Sequence, residues 1–219
     1  MKKLDGEIML PVIQTCGSLA NMQLPDPELL QDYRDDARRV YWLDDEITAM
    51  DNLFIRRLID WNQEDIGRPP EERKPVYLMI DTPGGDLYTT LALIDAIMAS
   101  ETPVIGVVVG TAYSGGFYVL LACDKRIGMR HSSYMMHRGS GTIDAPDQMA
   151  AEMAMKQWSE QVKTFMDFVV ERTSMQVREV RKALNTDTYY SADKALEKGI
   201  LTGMVTSMGE LTDGMAALR

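Results

Sequence analysis

The chain is 219 residues long, 45% hydrophobic and 26% charged, which suits one α/β domain with a real core and is too short for a second full domain. Its formal net charge is −10 at pH 7, which argues against nucleic acid or an anionic membrane as a partner, since both call for a basic surface. Cys16 and Cys123 are the only cysteines, too few and too far apart for a disulfide framework or a zinc cluster. No apolar run approaches signal-peptide or membrane-spanning length, so the expectation is a cytoplasmic protein with reduced thiols.

Residues 1–37 read as an irregular N-terminal arm, with a short apolar patch at 8–13 and a brief helix over 26–33 that has Pro27 in its first turn. From residue 38 to 219 the pattern is that of a single domain. Residues 40–43 are strand-like, and Thr48 with Asp51 three residues later forms a capping box. Met50, Leu53, Phe54, Leu58 and Trp61 then mark one helical face, expected to be core.

Residues 62–75, punctuated by Gly67, Pro69 and Pro70, read as a surface loop. Residues 76–80 are a buried strand that delivers Asp81-Thr82-Pro83-Gly84-Gly85-Asp86 at its carboxyl end, the edge of an α/β sheet where sites form. Two consecutive glycines let backbone approach a ligand more closely than a Cβ would allow. A helix over 87–100 follows, with Leu91, Ile94, Ile97 and Met98 at helical spacing.

The run Val104-Ile105-Gly106-Val107-Val108-Val109 fits a strand buried on both faces of a parallel sheet, stopping at Gly110. Thr111-Ala112-Tyr113-Ser114-Gly115-Gly116 then leads into an apolar segment, 117–122, of buried-helix character. Ser114 therefore sits at a strand-to-helix junction, where a tight turn exposes a hydroxyl and the first helical N–H groups are free to bind an anion. A serine needs a neighbouring base to become nucleophilic, and His131 and His137 are the only histidines. His137 ends the alternating run Ser133-Tyr134-Met135-Met136 and precedes the loop-like segment 138–145, whereas His131 reads as a surface residue. Taken singly, Ser114 could equally be a helix cap and His137 a surface imidazole.

The longest helical segment runs over 146–172, with Met149, Met153, Trp158, Val162, Phe165, Met166 and Val169 drifting around one face. Thr173-Ser174-Met175-Gln176 reads as a capping box that starts a helix over 175–184. Ser191 caps a helix over 193–198, closed by Gly199. From Thr202 the tail is small and polar and carries no strong signal.

Three blocks, Asp81-Thr82-Pro83-Gly84-Gly85-Asp86, Gly110-Thr111-Ala112-Tyr113-Ser114-Gly115-Gly116 and Tyr134-Met135-Met136-His137, resemble in order and spacing the signature blocks of the ClpP family, the proteolytic subunit of the Clp proteases. The resemblance implies the ClpP/crotonase-like fold: repeated β-α-β units with a long projecting handle helix, here about 146–172. It implies a serine endopeptidase with Ser114 as nucleophile, His137 as base and Asp187 as orienter, and with the Gly85 and Gly115 N–H groups as oxyanion hole. It further implies two stacked seven-membered rings, a homo-oligomeric tetradecamer, whose arms line an axial pore. An AAA+ Clp unfoldase would meet that pore, feeding in unfolded polypeptides and consuming the ATP. No metal or organic cofactor is expected in this chain, which has no G-x-x-x-x-G-K-[ST] phosphate loop.

Departures from the family pattern are Gly115 for a methionine, Tyr113 for a small residue, His137-Arg138-Gly139 for His-Gln-Pro, and Thr188 for an arginine that pairs across the ring interface. Other readings of the same fold are a protease with a catalytic lysine, as in signal-peptide peptidases, and an acyl-CoA hydratase or isomerase. A non-catalytic subunit of a mixed ring is a third.

Overall fold

The computed structural model describes residues 27–141 and 144–211, so the apolar patch at 8–13 and Cys16 lie outside the described residues. The chain divides into two units, Met1–Arg38 and Arg39–Arg219. In the first, the expected short helix is α1 (Pro27–Ala37), which continues past Tyr33 with Gln31 donating to Asp35 at 2.8 Å one turn on.

The second unit opens with β1 (Val40–Leu43), α2 (Asn52–Glu64), β2 (Val76–Thr82), α3 (Leu87–Ala99), β3 (Val104–Tyr113), α4 (Gly115–Ala122) and β4 (Lys125–Met129). It continues with β5 (Ser133–Met136), α5 (Gln148–Arg172), α6 (Val177–Ala183), β6 (Thr188–Ser191), α7 (Ala192–Glu197) and β7 (Gly203–Val205). Strands β1, β2, β3, β4 and β7 lie side by side in that order, each neighbouring pair parallel. Helices α2, α3 and α4 are thus the crossovers of three successive β-α-β units.

β2 alternates between two apolar layers. Val76, Leu78 and Ile80 face the larger core with Phe54, Leu58, Trp61, Leu93 and Phe117. Tyr77 and Met79 face a smaller one with Val40, Ile105, Val107 and Leu211. Met50 and Leu53, expected in the core, are exposed. Met50 belongs to a 3-10 turn, Ala49–Asp51, whose tighter winding takes it off the α2 stripe, and that stripe is set by the spacing of Phe54, Leu58 and Trp61. The capping box predicted at Thr48 and Asp51 is present.

β3 does not stop at Gly110 but bends there. Between the pairs Ile80↔Val108 and Thr82↔Ala112 it carries two more residues than β2, a bulge. Asp81 fills the space above Gly110, where a Cβ would collide with its carboxylate, and accepts the Thr111 N–H at 2.8 Å. The bend splits the strand's partners: its first half pairs with β4 and its last residues pair with β5.

Other expectations change. Thr173 starts no capping box: its hydroxyl donates to the Val169 carbonyl at 2.6 Å and accepts the Met175 N–H at 3.2 Å in the turn after α5, while α6 begins later, after Gln176 and without a side-chain cap. Residues 188–191, which carried no element in the sequence, form β6, and the tail contains β7. Within the loop 62–75, Asp65 is 2% exposed, gripped by Arg39 at 2.6 and 3.1 Å and by the Thr102 hydroxyl at 2.9 Å.

α5 is 25 residues long and is capped by Asp147, which accepts the Ala150 N–H at 2.8 Å. Its buried residues, Phe165 and Val169, lie in its second half, while Met149, Met153 and Met155 of the first half are exposed. Among the described residues no helix is long and apolar enough to cross a membrane.

Candidate active site

Ser114 occupies the junction between β3 and α4 with φ 50° and ψ −119°, a conformation that a non-glycine residue holds only where its surroundings over-determine it. The constraints are visible. Its N–H donates to the Met135 carbonyl at 3.0 Å, and its carbonyl accepts from Phe117 N–H at 3.1 Å to start the helix. Its hydroxyl makes no cap bond to α4, so the reading of Ser114 as a helix cap falls away.

That hydroxyl instead contacts His137 Nε2 at 2.6 Å. β5 runs parallel to the end of β3, with Ala112 opposite Tyr134 and Tyr113 opposite Met135, which carries His137, one residue beyond β5, alongside the elbow. On its other side β5 pairs antiparallel with β6, ending at Met136↔Thr188. One step further that register sets Asp187 against His137, and Asp187 Oδ1 stands 3.3 Å from His137 Nδ1. The imidazole side chain is 17% exposed and the Asp187 side chain 59%, so the carboxylate is wet. His131 is exposed and takes no part.

Gly85 and Gly115 reach the same place by different routes. Gly115 is the first residue of α4, so its N–H has no carbonyl of its own turn to serve. A Cβ there would stand 2.5 Å from Thr90 Oγ1, which explains locally why a methionine does not occupy this position. Gly85 lies between two groups that bond to Ile47, the Gly84 carbonyl and the Asp86 N–H, both at 2.8 Å. In such an extended pairing the intervening N–H points away from Ile47, and Gly85 lines the same cavity as Ser114.

Gly84, Gly85, Ser114, Gly115 and His137 line one cavity of about 810 Å³, whose apolar wall includes Tyr118, Met135, Trp158 and Phe165. The last two come from α5. Tyr118, which sequence reasoning passed over as part of an apolar run, donates its hydroxyl to the His137 carbonyl at 2.6 Å. Burial pushes its phenol pKa up, so it stays a donor. The available signal was a lone hydroxyl in an otherwise apolar helix, which a buried site must pair. Tyr113 meets Tyr189 of β6 edge-on, ring centroids 5.6 Å apart. Among the described residues no group of three or more His, Cys, Asp or Glu is placed to hold a metal ion.

A parallel sheet of β-α-β units that ends in a serine elbow, with a histidine on the serine hydroxyl and a carboxylate behind it, is the architecture of an α/β hydrolytic enzyme. The chain belongs to the Clp protease family, whose profile matches residues 42–208. It is similar to ATP-dependent Clp protease proteolytic subunit 2 of Treponema pallidum (strain Nichols), 29% identical over 141 residues, 63% of this chain and 70% of the relative. It is 29% identical over 183 residues to proteolytic subunit 1 of Protochlamydia amoebophila (strain UWE25), covering 80% of this chain and 84% of the relative. A third relative, proteolytic subunit 3 of Synechococcus sp. (strain CC9605), is 24% identical over 175 residues, 78% of this chain and 84% of its own length.

Proposed function

We propose that this chain is a serine endopeptidase, the proteolytic subunit of a self-compartmentalised Clp-type protease. The observation that carries the reading is the 2.6 Å contact between Ser114 Oγ and His137 Nε2 at a strained elbow beside two glycine amides. In the proposed reaction His137 Nε2 takes the Ser114 proton as Oγ attacks the scissile carbonyl carbon. The Gly85 and Gly115 N–H groups receive the developing oxyanion, and Asp187 steadies the imidazolium. His137 then returns the proton to the leaving amine, which departs and leaves an acyl-enzyme on Ser114. Water, deprotonated by the same imidazole, attacks the ester and frees the acid and the serine. The scheme needs no metal or organic cofactor.

A site with so little built-in selectivity calls for sequestration. We place it inside two stacked sevenfold rings of this chain in the cytoplasm, fed with unfolded polypeptide by an AAA+ Clp unfoldase that uses the ATP. Supporting this are the relatives' names, ATP-dependent Clp protease proteolytic subunit, and the exposed Met149, Met153 and Met155 on α5, apolar surface of the kind that interfaces cover.

The test is hydrolysis of a short fluorogenic peptide by the purified chain beside Ser114→Ala, with the mass of the assembly recorded in the same sample. Serine-dependent turnover from a ring-sized particle is the expected result. A well-assembled ring with no turnover and no fluorophosphonate labelling of Ser114 would overturn the peptidase reading. Turnover from small species alone would overturn the ring.

A further inference from the structure

We infer that Tyr118 is a positioning residue for His137, holding the main chain of the general base against the element that carries the nucleophile; the inference rests on the peptidase reading above. The β5–β6 ladder ends at Met136↔Thr188, so His137 is the first residue beyond its support. The chain that follows, Arg138 to Gly141, belongs to no helix or strand and includes Gly139 at φ 87°. Asp187 approaches the ring only to 3.3 Å and is mostly exposed, a weak anchor by geometry and by solvent screening. The His137 carbonyl, by contrast, receives a 2.6 Å hydrogen bond from a phenol that is 4% exposed.

That phenol is itself closely packed. Its ring packs on Phe165 with centroids 4.3 Å apart and meets Phe117 edge-on at 5.5 Å. It belongs to α4, the helix that Ser114 opens, and its own N–H reaches the Ser114 carbonyl at 3.4 Å. Two bonds therefore bracket the end of β5 on one rigid element: Ser114 N–H to the Met135 carbonyl at 3.0 Å, and Tyr118 hydroxyl to the His137 carbonyl. With both in place the His137 main chain is held where its imidazole reaches Ser114 Oγ at 2.6 Å. Without the second, residue 137 is free to swing with the glycine-bearing loop, and the near-attack geometry is held for a smaller fraction of the time.

The experiment removes the hydroxyl and keeps the ring. Tyr118→Phe is expected to lower kcat for the fluorogenic peptide about tenfold, the scale of one hydrogen bond, with KM within about twofold, since no group that holds the ground-state substrate is lost. Placed on His137→Ala, the same substitution should change the residual rate by less than about twofold, because its effect passes through the imidazole. Replacing Tyr118 by 3-fluorotyrosine, which keeps the donor, should hold kcat at the wild-type value. Four results overturn the inference: an unchanged kcat in Tyr118→Phe, a change confined to KM, an equal loss in the His137→Ala background, or a tenfold loss with 3-fluorotyrosine. A wild type without Ser114-dependent turnover overturns the peptidase reading and this inference together, whereas an active wild type matched by Tyr118→Phe overturns this inference alone.

Discussion

Ile47 and Gly85 pair as parallel-strand neighbours although neither lies in a strand. Two 2.8 Å bonds, Ile47 N–H to the Gly84 carbonyl and Asp86 N–H to the Ile47 carbonyl, hold the extended segment, a pairing that turns the Gly85 N–H away from Ile47. A Cβ on Gly85 would collide with the Ile47 carbonyl oxygen. Gly85→Ala must therefore displace this amide. Loss of one oxyanion donor corresponds to about 3 kcal/mol, or a fall in kcat of about 100-fold or more. Steady-state kinetics on the fluorogenic peptide, with circular dichroism to verify folding, would check it; a kcat within threefold of wild type would argue that Gly85 is not a donor.

In the proposed reaction the exposure of Asp187 limits what it can contribute. A buried orienting aspartate changed to asparagine costs roughly 10⁴-fold in kcat. Here the side chain is 59% exposed and 3.3 Å from Nδ1, so water screens its charge and competes for its hydrogen bond. Asp187→Asn is expected to fall well short of that loss, while His137→Ala approaches the roughly millionfold loss seen when a base of this kind is removed. Parallel kcat measurements on the two variants would decide the order, and equal losses would contradict it.

Arg39 and Asp65 form a buried pair, Arg39 Nη1 to Asp65 Oδ2 2.6 Å, with the two side chains 5% and 1% exposed. Removing one partner of such a pair leaves the other unpaired, so Arg39→Met is expected to lose about 3–5 kcal/mol, read as a lower urea midpoint. Burial opposes the Asp65 charge, but the hydrogen bonds from Arg39 and Thr102 outweigh it and hold the carboxyl below its ordinary value. A folded pKa below the unfolded one means that this stabilisation is complete above the unfolded value, about 3.9, and is lost as the pH falls through the folded one. The wild-type midpoint should therefore drop as the pH is lowered below about 4, and Arg39→Met should drop less steeply. An acid limb equally steep in the variant would remove Asp65 from its cause.

Cys123 is wholly buried and its thiol is pushed up to about 12, by burial first and by the Asp124 charge second. Alkylation requires the thiolate. Iodoacetamide should leave Cys123 unmodified in the native protein and modify it in urea, as read by peptide mass mapping. Native labelling at the rate of a free thiol would show that the helix end at Ala122 opens readily.

Much of the site was legible because its parts are local. A β-branched run followed by small residues and an apolar helix forces a tight junction at Ser114, whichever chain surrounds it. The caps Thr48 and Ser191 and the turn at Gly199, with its φ of 69°, were readable for the same reason: each satisfies backbone groups within four residues of itself. The expected core face of α2 partly failed at Met50, where a change of helix type, invisible to a fixed periodicity, turned the side chain outward.

What the amino-acid order determined alone is the sequence of β-α-β units, the elbow at Ser114 and the glycines that let backbone crowd it, all products of local sterics and hydrogen bonding. Which distant groups meet there belongs to the tertiary structure. Asp187 faces His137 because the register of β5 on β6 sets it there, in a segment whose local signal was that of a loop. Tyr118 finds the His137 carbonyl, and Arg39 finds Asp65 together with the Lys74 and Trp61 carbonyls, because a buried donor must be paired by whatever acceptors the packing brings to it. Periodicity records which face of an element is apolar; it holds no record of what will be packed against that face, and the final position of Ser114, His137 and Asp187 is a property of that packing.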